Sequence, residues 1–561
     1  DDINVVNPPP SREYSVRSDS IVFDFLNCPK KLNVPFEWNN FEWERLWQFN
    51  LHYFNWARLW LDLRIVNGTW CLDAANLEFL LDHWIKFNLP GKGDGWHSYT
   101  LSLRSRNWIW LFRTCPYLAT PSRLKSLWRQ LCWLQAHPER CHGGNHWIEN
   151  LTALAIGGLQ FEGSRALEMH KIAMQELKNE LETQVLGDGG HEERSAAYHL
   201  LILSRLVELG CVIQSITCQR PTWLLNKIYQ MVRWAEIVRL SDGSFVRFND
   251  SPSDICPSID QVIDFAWAYL KKADLTTNGL SALFYRASIG LRSSSEVCFG
   301  KPRPLISQLP LSDLPNTGWV FLRPGLDWEL VFKCGQSSPK HLPAHSHSDL
   351  LTFDIFYKGK PFLAEMGTSV YGNCLDRFLE RSYSAHNIFQ LGNISQKSDS
   401  DMVEWIEPTE VWGDFRAARK ANICNRSYGK DLDGGLWVSA SHDAYQRFGS
   451  SHKRFIKLKT DTENNLQFTL KDTLDCDKSM AWRQWWHIAP NVSDDVLYPI
   501  IDQLSQKHSL EIYWRNTWYS LGFGNRIPRR SLCLFGRVPK GTHCFSLELN
   551  NLCFFINSNH A

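Results

Sequence analysis

The sequence predicts a two-part α+β chain, helical in its first half and antiparallel β in its second, with the border near residue 312. Three observations carry this. Apolar residues recur three and four apart from about residue 40 to 290. Beyond residue 318 the chain turns to short β-branched and aromatic runs with partial alternation. Between them lies a proline-rich passage, Lys301-Pro302-Arg303-Pro304 to Leu314-Pro315-Asn316. The expected domains are therefore 1–311 and 312–561.

In chain order, the spacing predicts helices from Trp43 through Leu61, around 77–85, and over 123–136, 146–160, 164–185, 195–213 and 221–241. Breakers separate them: Asn88-Leu89-Pro90-Gly91, His142-Gly143-Gly144 and Gly187-Asp188-Gly189-Gly190. Several are apolar on more than one face, as in hairpins packed in an inner and an outer ring. No repeat is visible in the residues, so a regular solenoid is not indicated. Strands are expected at 318–323, 328–333, 350–357, 435–440, 466–474 and 542–555, with turn residues between them. Such a series suits antiparallel sheets packed face to face.

Composition then bounds the function. The chain has 561 residues, 44% hydrophobic and 21% charged, enough for a sizeable core and too apolar for disorder. Lys and Arg total 60 against 59 Asp and Glu, leaving +1, so no global field recruits nucleic acid or an anionic membrane. A polyanionic substrate would need its cations concentrated in one cleft. Aromatics reach 13%, with 26 Trp, a content that suits sugar stacking and large helical cores alike. No run of 18 apolar residues occurs, so no membrane insertion is expected. The first residues, Asp1-Asp2-Ile3-Asn4, lack the basic start and apolar stretch of a signal peptide. Sixteen cysteines run from Cys28 to Cys553 without a CxxC pair, which argues against a thiolate zinc site or an iron–sulfur cluster. Most are expected to be buried free thiols.

Three clusters carry chemistry. The first is Asn145-His146-Trp147-Ile148-Glu149-Asn150. Residues three and four apart share a helix face, so Asn145, His146 and Glu149 converge in a first turn, where free NH groups favour anions. An N-cap Asn beside an ordinary surface His and Glu fits the same residues. The second runs from Asp188-Gly189-Gly190-His191 to Tyr198-His199. On a helix, Arg194 would sit one turn before Tyr198, easing phenolate formation and suiting Tyr198 to proton transfer. A core Tyr is the alternative. The third is His345-Ser346-His347-Ser348-Asp349, whose histidines share one side of an extended segment. Glu365 lies 18 residues beyond His347 and His386 a further 21, so two imidazoles and a carboxylate form a credible zinc site. Surface histidines on a sheet are the alternative.

Together with Arg381-Ser382-Tyr383-Ser384-Ala385-His386-Asn387, these blocks resemble, in order, spacing and placement, the signature blocks of the heparinase II/III-like polysaccharide lyases. The resemblance spans about the whole chain. It implies an incomplete (α/α) toroid followed by an antiparallel β-sandwich, with the active site in the groove between them. It also implies an uronate-containing anionic polysaccharide as substrate: heparan sulfate, hyaluronan or chondroitin, with alginate as a further option. Cleavage would be by β-elimination.

Carried over by residue, Asn145 and His146 neutralise the uronate carboxylate, Tyr198 gives a proton to the leaving oxygen, and His345 is the base. Glu149 stands beside the substrate, and Tyr371 contacts it. His347, Glu365 and His386 hold one divalent metal, usually zinc, in a structural role. The family usually has Asp where Glu365 stands. Arg104, Trp108 and Arg194 are further candidates for substrate contact, as are Trp482, Trp485, Trp486 and His487 for a groove wall, with core packing of the sandwich an equal explanation of the tryptophans. The expected compartment is periplasmic or secreted, with the cytoplasm as the alternative. Two other functions use the same residues: a glycoside hydrolase with Glu149 and Asp188 or Glu192 as its carboxylates, and a non-catalytic glycan-binding protein.

Overall fold

After an antiparallel hairpin, Ser20–Phe25 with Cys28–Asn33, the helices precede the larger antiparallel sheets, in the order the periodicity predicts. The computed structural model describes residues 20–33, 36–57, 74–141, 143–271, 309–325, 327–397 and 400–552. The end of the first predicted helix (58–61), the tail of the helical stretch (272–290), residues 301–308 of the proline-rich passage and 553–555 of the last strand lie outside these. Two compact units divide the chain. One holds Asp1–Val185, Leu200–Arg233 and Cys256–Pro302; the other holds Leu186–His199, Trp234–Ile255 and Arg303–Ala561.

In the first unit, the helices Ser98–Thr114, Pro121–Ala136, Gly144–Gly158 and Ser164–Gln184 follow one another. Pro121 opens its helix at a position where no NH is needed, and Thr120 caps it by accepting from the Arg123 NH. Ser98–Thr114 is buried over nearly its whole length, which explains why its sequence shows no clean polar face. Gly158 lets Gly144–Gly158 approach Ser164–Gln184 closely: a Cβ there would lie 2.6 Å from the Ala166 carbonyl oxygen. The Ala196–Thr217 helix is long and apolar enough, by length and composition, to cross a membrane, yet most of it is buried inside the protein. His199, Arg205 and Glu208 interrupt its apolar run.

The second unit carries three five-stranded antiparallel sheets. One is a meander of consecutive strands from Leu311–Leu314 to Lys360–Leu363. A second runs Leu510–Gly522, Asn525–Val538, Met480–His487, Phe389–Lys397, Ser400–Trp405. The third runs Ile423–Lys430, Leu436–His442, Ser450–Thr460, Leu466–Cys476, Gly541–Leu552. One apolar core joins all three, with Val320, Leu330 and Phe353 from the first, Phe389, Trp482 and Leu532 from the second, and Val438, Ile456 and Phe545 from the third. Leu466–Cys476 alternates buried and half-buried residues, whereas every residue of Trp328–Lys333 is buried. That difference is why the alternation in the sequence is only partial.

Trp482 and Trp486 belong to this core, and Trp485 packs with Tyr383 and Ile388. They are core residues rather than a groove wall. Thirteen cysteines fall within the described residues, five buried, three half-buried and five exposed. The expectation that most would be buried is corrected accordingly.

Candidate active site

The Asp188-Gly189-Gly190 turn acts as a structural dock. Asp188 accepts hydrogen bonds from the backbone NH groups of Gly190, Asn316 and Thr317. Gly190 has no room for a side chain, since a Cβ would lie 2.6 Å from Trp234 Nε1 and closer still to Thr317 Oγ1. Ser195 then caps the helix that begins at Ala196: its Oγ accepts from the Tyr198 NH at 3.3 Å and donates to the Asp250 carbonyl at 2.6 Å. This anchoring sets Tyr198 one turn into a rigid helix.

Tyr198 meets His345 and Tyr371. Its ring lies 4.1 Å from the His345 ring, centroid to centroid, and its hydroxyl is 2.9 Å from the Tyr371 hydroxyl. Tyr198 and His345 are each 7% exposed, so the cluster reaches the surface at an edge. Burial, with the Asp250 charge adding to it, pushes the Tyr371 phenol well above its usual value. It therefore keeps its proton, and in the bond it shares with Tyr198 either hydroxyl can be the donor. Arg194 does not take the place expected for it. It lies before the helix with φ +51, and its guanidinium donates to the Asn316 carbonyl oxygen at 3.4 Å. The helix starts two residues too late for a one-turn pairing.

His345 and His347 lie in a looped segment rather than a strand, yet both reach one carboxylate. His345 Nδ1 and His347 Nε2 are each 2.9 Å from an oxygen of Asp250. Arg377 donates to the same carboxylate through both terminal nitrogens, at 2.5 and 2.6 Å. Burial alone would raise Asp250, but Arg377 and the two histidines outweigh it and hold the carboxyl well below its usual range. Sequence reasoning missed Asp250 and Arg377. The turn Asn249-Asp250-Ser251 gave no local signal, since it sits in a polar stretch from Ser241 to Asp260 with several other Ser and Asp residues.

His347, Glu365 and His386 come together, with one ligand atom from each lying within 4.8 Å of the others. His386 Nδ1 pairs with Glu365 Oε2 at 2.8 Å. His347 Nδ1, Glu365 Oε1 and His386 Nε2 are buried with no hydrogen-bond partner. Burial lowers both imidazoles, His386 to about 4, and raises the Glu365 carboxyl well above its ordinary value. Two imidazoles and a carboxylate that bring ligand atoms this close away from water, each leaving a buried N or O atom unpaired, fit a divalent cation. Asn387 braces this corner: its side chain donates to the Phe353 carbonyl oxygen and accepts from the His487 NH. Arg454 bonds the carbonyl oxygens of both Leu351 and Asn387.

In the first unit, Asn145 and His146 occupy the first turn of Gly144–Gly158. His146 stacks on Tyr99 at 4.2 Å and pairs through Nδ1 with Glu139 Oε1 at 3.0 Å, with its side chain 36% exposed. Glu149 lies elsewhere. It is 0% exposed, held by Arg106 Nη1 at 2.5 Å and by Arg205 Nε at 2.8 Å. Its charge is already neutralised inside the protein, which corrects the expectation that it stands beside a substrate.

Arg104 and Trp108 are corrected for the same reason. Both are 0% exposed. Arg104 bonds Gln130 and the carbonyl oxygens of His52 and Gly95, and lies over the Trp84 ring. Trp108 packs edge-on against Phe54 and Trp84. Their helix turns these residues inward, so they cannot contact a polymer.

Comparison with known proteins follows the same blocks. Residues 122–273 match the family described as Heparinase II/III N-terminus, and residues 307–547 match Heparinase II/III-like, C-terminal. Among solved structures, a heparinase III aligns with TM-score 0.64 at 16% identity, covering 92% of this chain and 79% of its own. The heparan sulfate lyase HepC from Pedobacter heparinus aligns with TM-score 0.55 at 17% identity, covering 94% of this chain and 80% of its own. No curated protein matches the chain by sequence.

Proposed function

We propose, from the premise that the chain belongs to the heparinase II/III-like family and is a polysaccharide lyase, that it cleaves uronate-containing polysaccharides by β-elimination. The observation that supports this best is the contact of Tyr198 with both His345 and the Tyr371 hydroxyl. Elimination removes the C5 proton and expels the C4 oxygen. The C5–H bond is a weak acid until the adjacent carboxylate is masked. Asn145 and His146 would supply the masking hydrogen bonds, by the logic of an oxyanion hole, where one donor is worth about 2.7–4 kcal/mol of barrier. His345 would take the C5 proton, and Tyr198 would protonate the leaving oxygen.

His347, Glu365 and His386 would hold a divalent cation, zinc by the chemistry of the donor set, whose charge would keep the Glu365 carboxylate ionised and the loop beneath His345 fixed. The glycosidase alternative loses Glu149, which both of its pairings need, because that carboxylate is enclosed between Arg106 and Arg205, and Asp188 is engaged by backbone NH groups. Heparan sulfate leads the expected substrates, followed by hyaluronan, chondroitin and alginate. Incubation with each polymer, read as ultraviolet absorbance of the new C4–C5 double bond, tests the proposal. New reducing ends without that absorbance would mean hydrolysis, and binding without turnover would mean a glycan-binding protein.

A further inference from the structure

Asp250 touches two histidines that have different tasks. Its Oδ2 lies 2.9 Å from His345 Nδ1, and its Oδ1 lies 2.9 Å from His347 Nε2. Thr368 Oγ1 donates to Oδ1 at 3.2 Å, and Arg377 grips both oxygens. A carboxylate clamped by a bidentate guanidinium is ionised and can only accept hydrogen bonds. The proton of each neutral imidazole must therefore sit on the nitrogen facing Asp250: Nδ1 in His345 and Nε2 in His347. The remaining nitrogens carry lone pairs. On His347 this is Nδ1, the buried atom without a hydrogen-bond partner in the triad with Glu365 and His386. On His345 it is Nε2, which lies 3.7 Å from Glu193 Oε2, beyond hydrogen-bond reach.

We infer that Asp250 is a positioning residue that fixes opposite tautomers on His345 and His347, readying one as a base and the other as a metal ligand through a single carboxylate. The base role rests on the lyase reading above; the tautomers do not. When His345 Nε2 accepts the C5 proton, the electron pair of the C–H bond moves toward the substrate carboxylate. The imidazolium so formed stays hydrogen-bonded to Asp250 through Nδ1–H. The same residue ties these histidines to Tyr198, because its carbonyl oxygen accepts from Ser195, the cap of the Tyr198 helix. Asn249 holds the turn from the other side, donating to the carbonyl oxygens of Arg194 and Ser337 and accepting from Lys333.

Neutron diffraction from deuterated crystals of the unmodified protein tests the tautomers directly. Deuterons on His345 Nδ1 and His347 Nε2, with none on Asp250, are expected. A deuteron on His345 Nε2 with Nδ1 bare, or on an Asp250 oxygen, overturns the inference. Asp250→Asn tests the consequence, because an amide presents one donor and one acceptor and must invert one of the two tautomers. The expected result is a fall in kcat of about 100-fold or more, with KM within about 3-fold, and fewer metal ions bound per chain by elemental analysis. Unchanged kcat together with unchanged metal content overturns the inference. If this variant does not fold, the deuteron positions in the unmodified protein decide alone. A protein that yields no unsaturated uronate from any polymer defeats the lyase reading, while its deuterons still test what Asp250 does.

Discussion

Tyr198 and Tyr371 share one hydrogen bond, in which either hydroxyl can be the donor. Tyr371→Phe removes the hydroxyl bonded to Tyr198 at little change in volume. A loss of about 10-fold in kcat is expected, the worth of one hydrogen bond, with KM nearly unchanged. Equal kcat in the two proteins would show that Tyr371 only packs. In the first unit, a second residue sets a pH dependence. Trp84 Nε1–H donates to His52 Nδ1, which requires an unprotonated nitrogen, and burial first, then the Arg104 charge, lowers His52 to about 3. Its contribution to stability is present in full above the unfolded value of about 6.5 and is lost as pH falls from there toward 3. His52→Gln should remove about one proton, or about 1.4 kcal/mol per pH unit, from the slope of unfolding free energy over that range. Denaturant titrations at several pH values check it, and an unaltered slope would count against it.

At the scale of elements, the glycine turn before the Tyr198 helix carries more than its length suggests. Gly190 is pressed between Thr317 and Trp234, so Gly190→Ala forces a shift costing about 1–3 kcal/mol. The shift propagates to Ser195 and thus to the position of Tyr198. Both the melting temperature and kcat should fall in this variant, whereas Gly434→Ala, in an open turn with nothing near its Cβ, should leave kcat unchanged. Loss of stability with full kcat would mean that the turn does not position the helix. The start of that helix also shows where local reasoning failed. The spacing of Arg194 and Tyr198 suits one helix face, but Arg194 adopts a left-handed backbone and turns to Asn316. Nothing in the local spacing announces a contact made 122 residues away.

For the whole molecule, the fit of His347, Glu365 and His386 to a cation gives a prediction about stability rather than chemistry. Three buried, unpaired donor atoms destabilise the fold unless a cation satisfies them. A chelator should therefore lower the melting temperature before it lowers turnover, and added zinc should restore it. Activity lost at an unchanged melting temperature would assign the metal to catalysis instead. The sequence alone determined the order of helices and sheets, the glycine turn before the Tyr198 helix and the histidine and tyrosine blocks, because periodicity and turn chemistry act over a few residues. Only the tertiary structure decided that Arg104, Trp108 and Glu149 face inward and that Asp250 and Arg377 stand behind His345. Burial and ion pairing depend on which distant segments meet: Asp250 is 95 residues from His345 and 127 from Arg377. A charged side chain on a helix reads the same in sequence whether water or another charge awaits it.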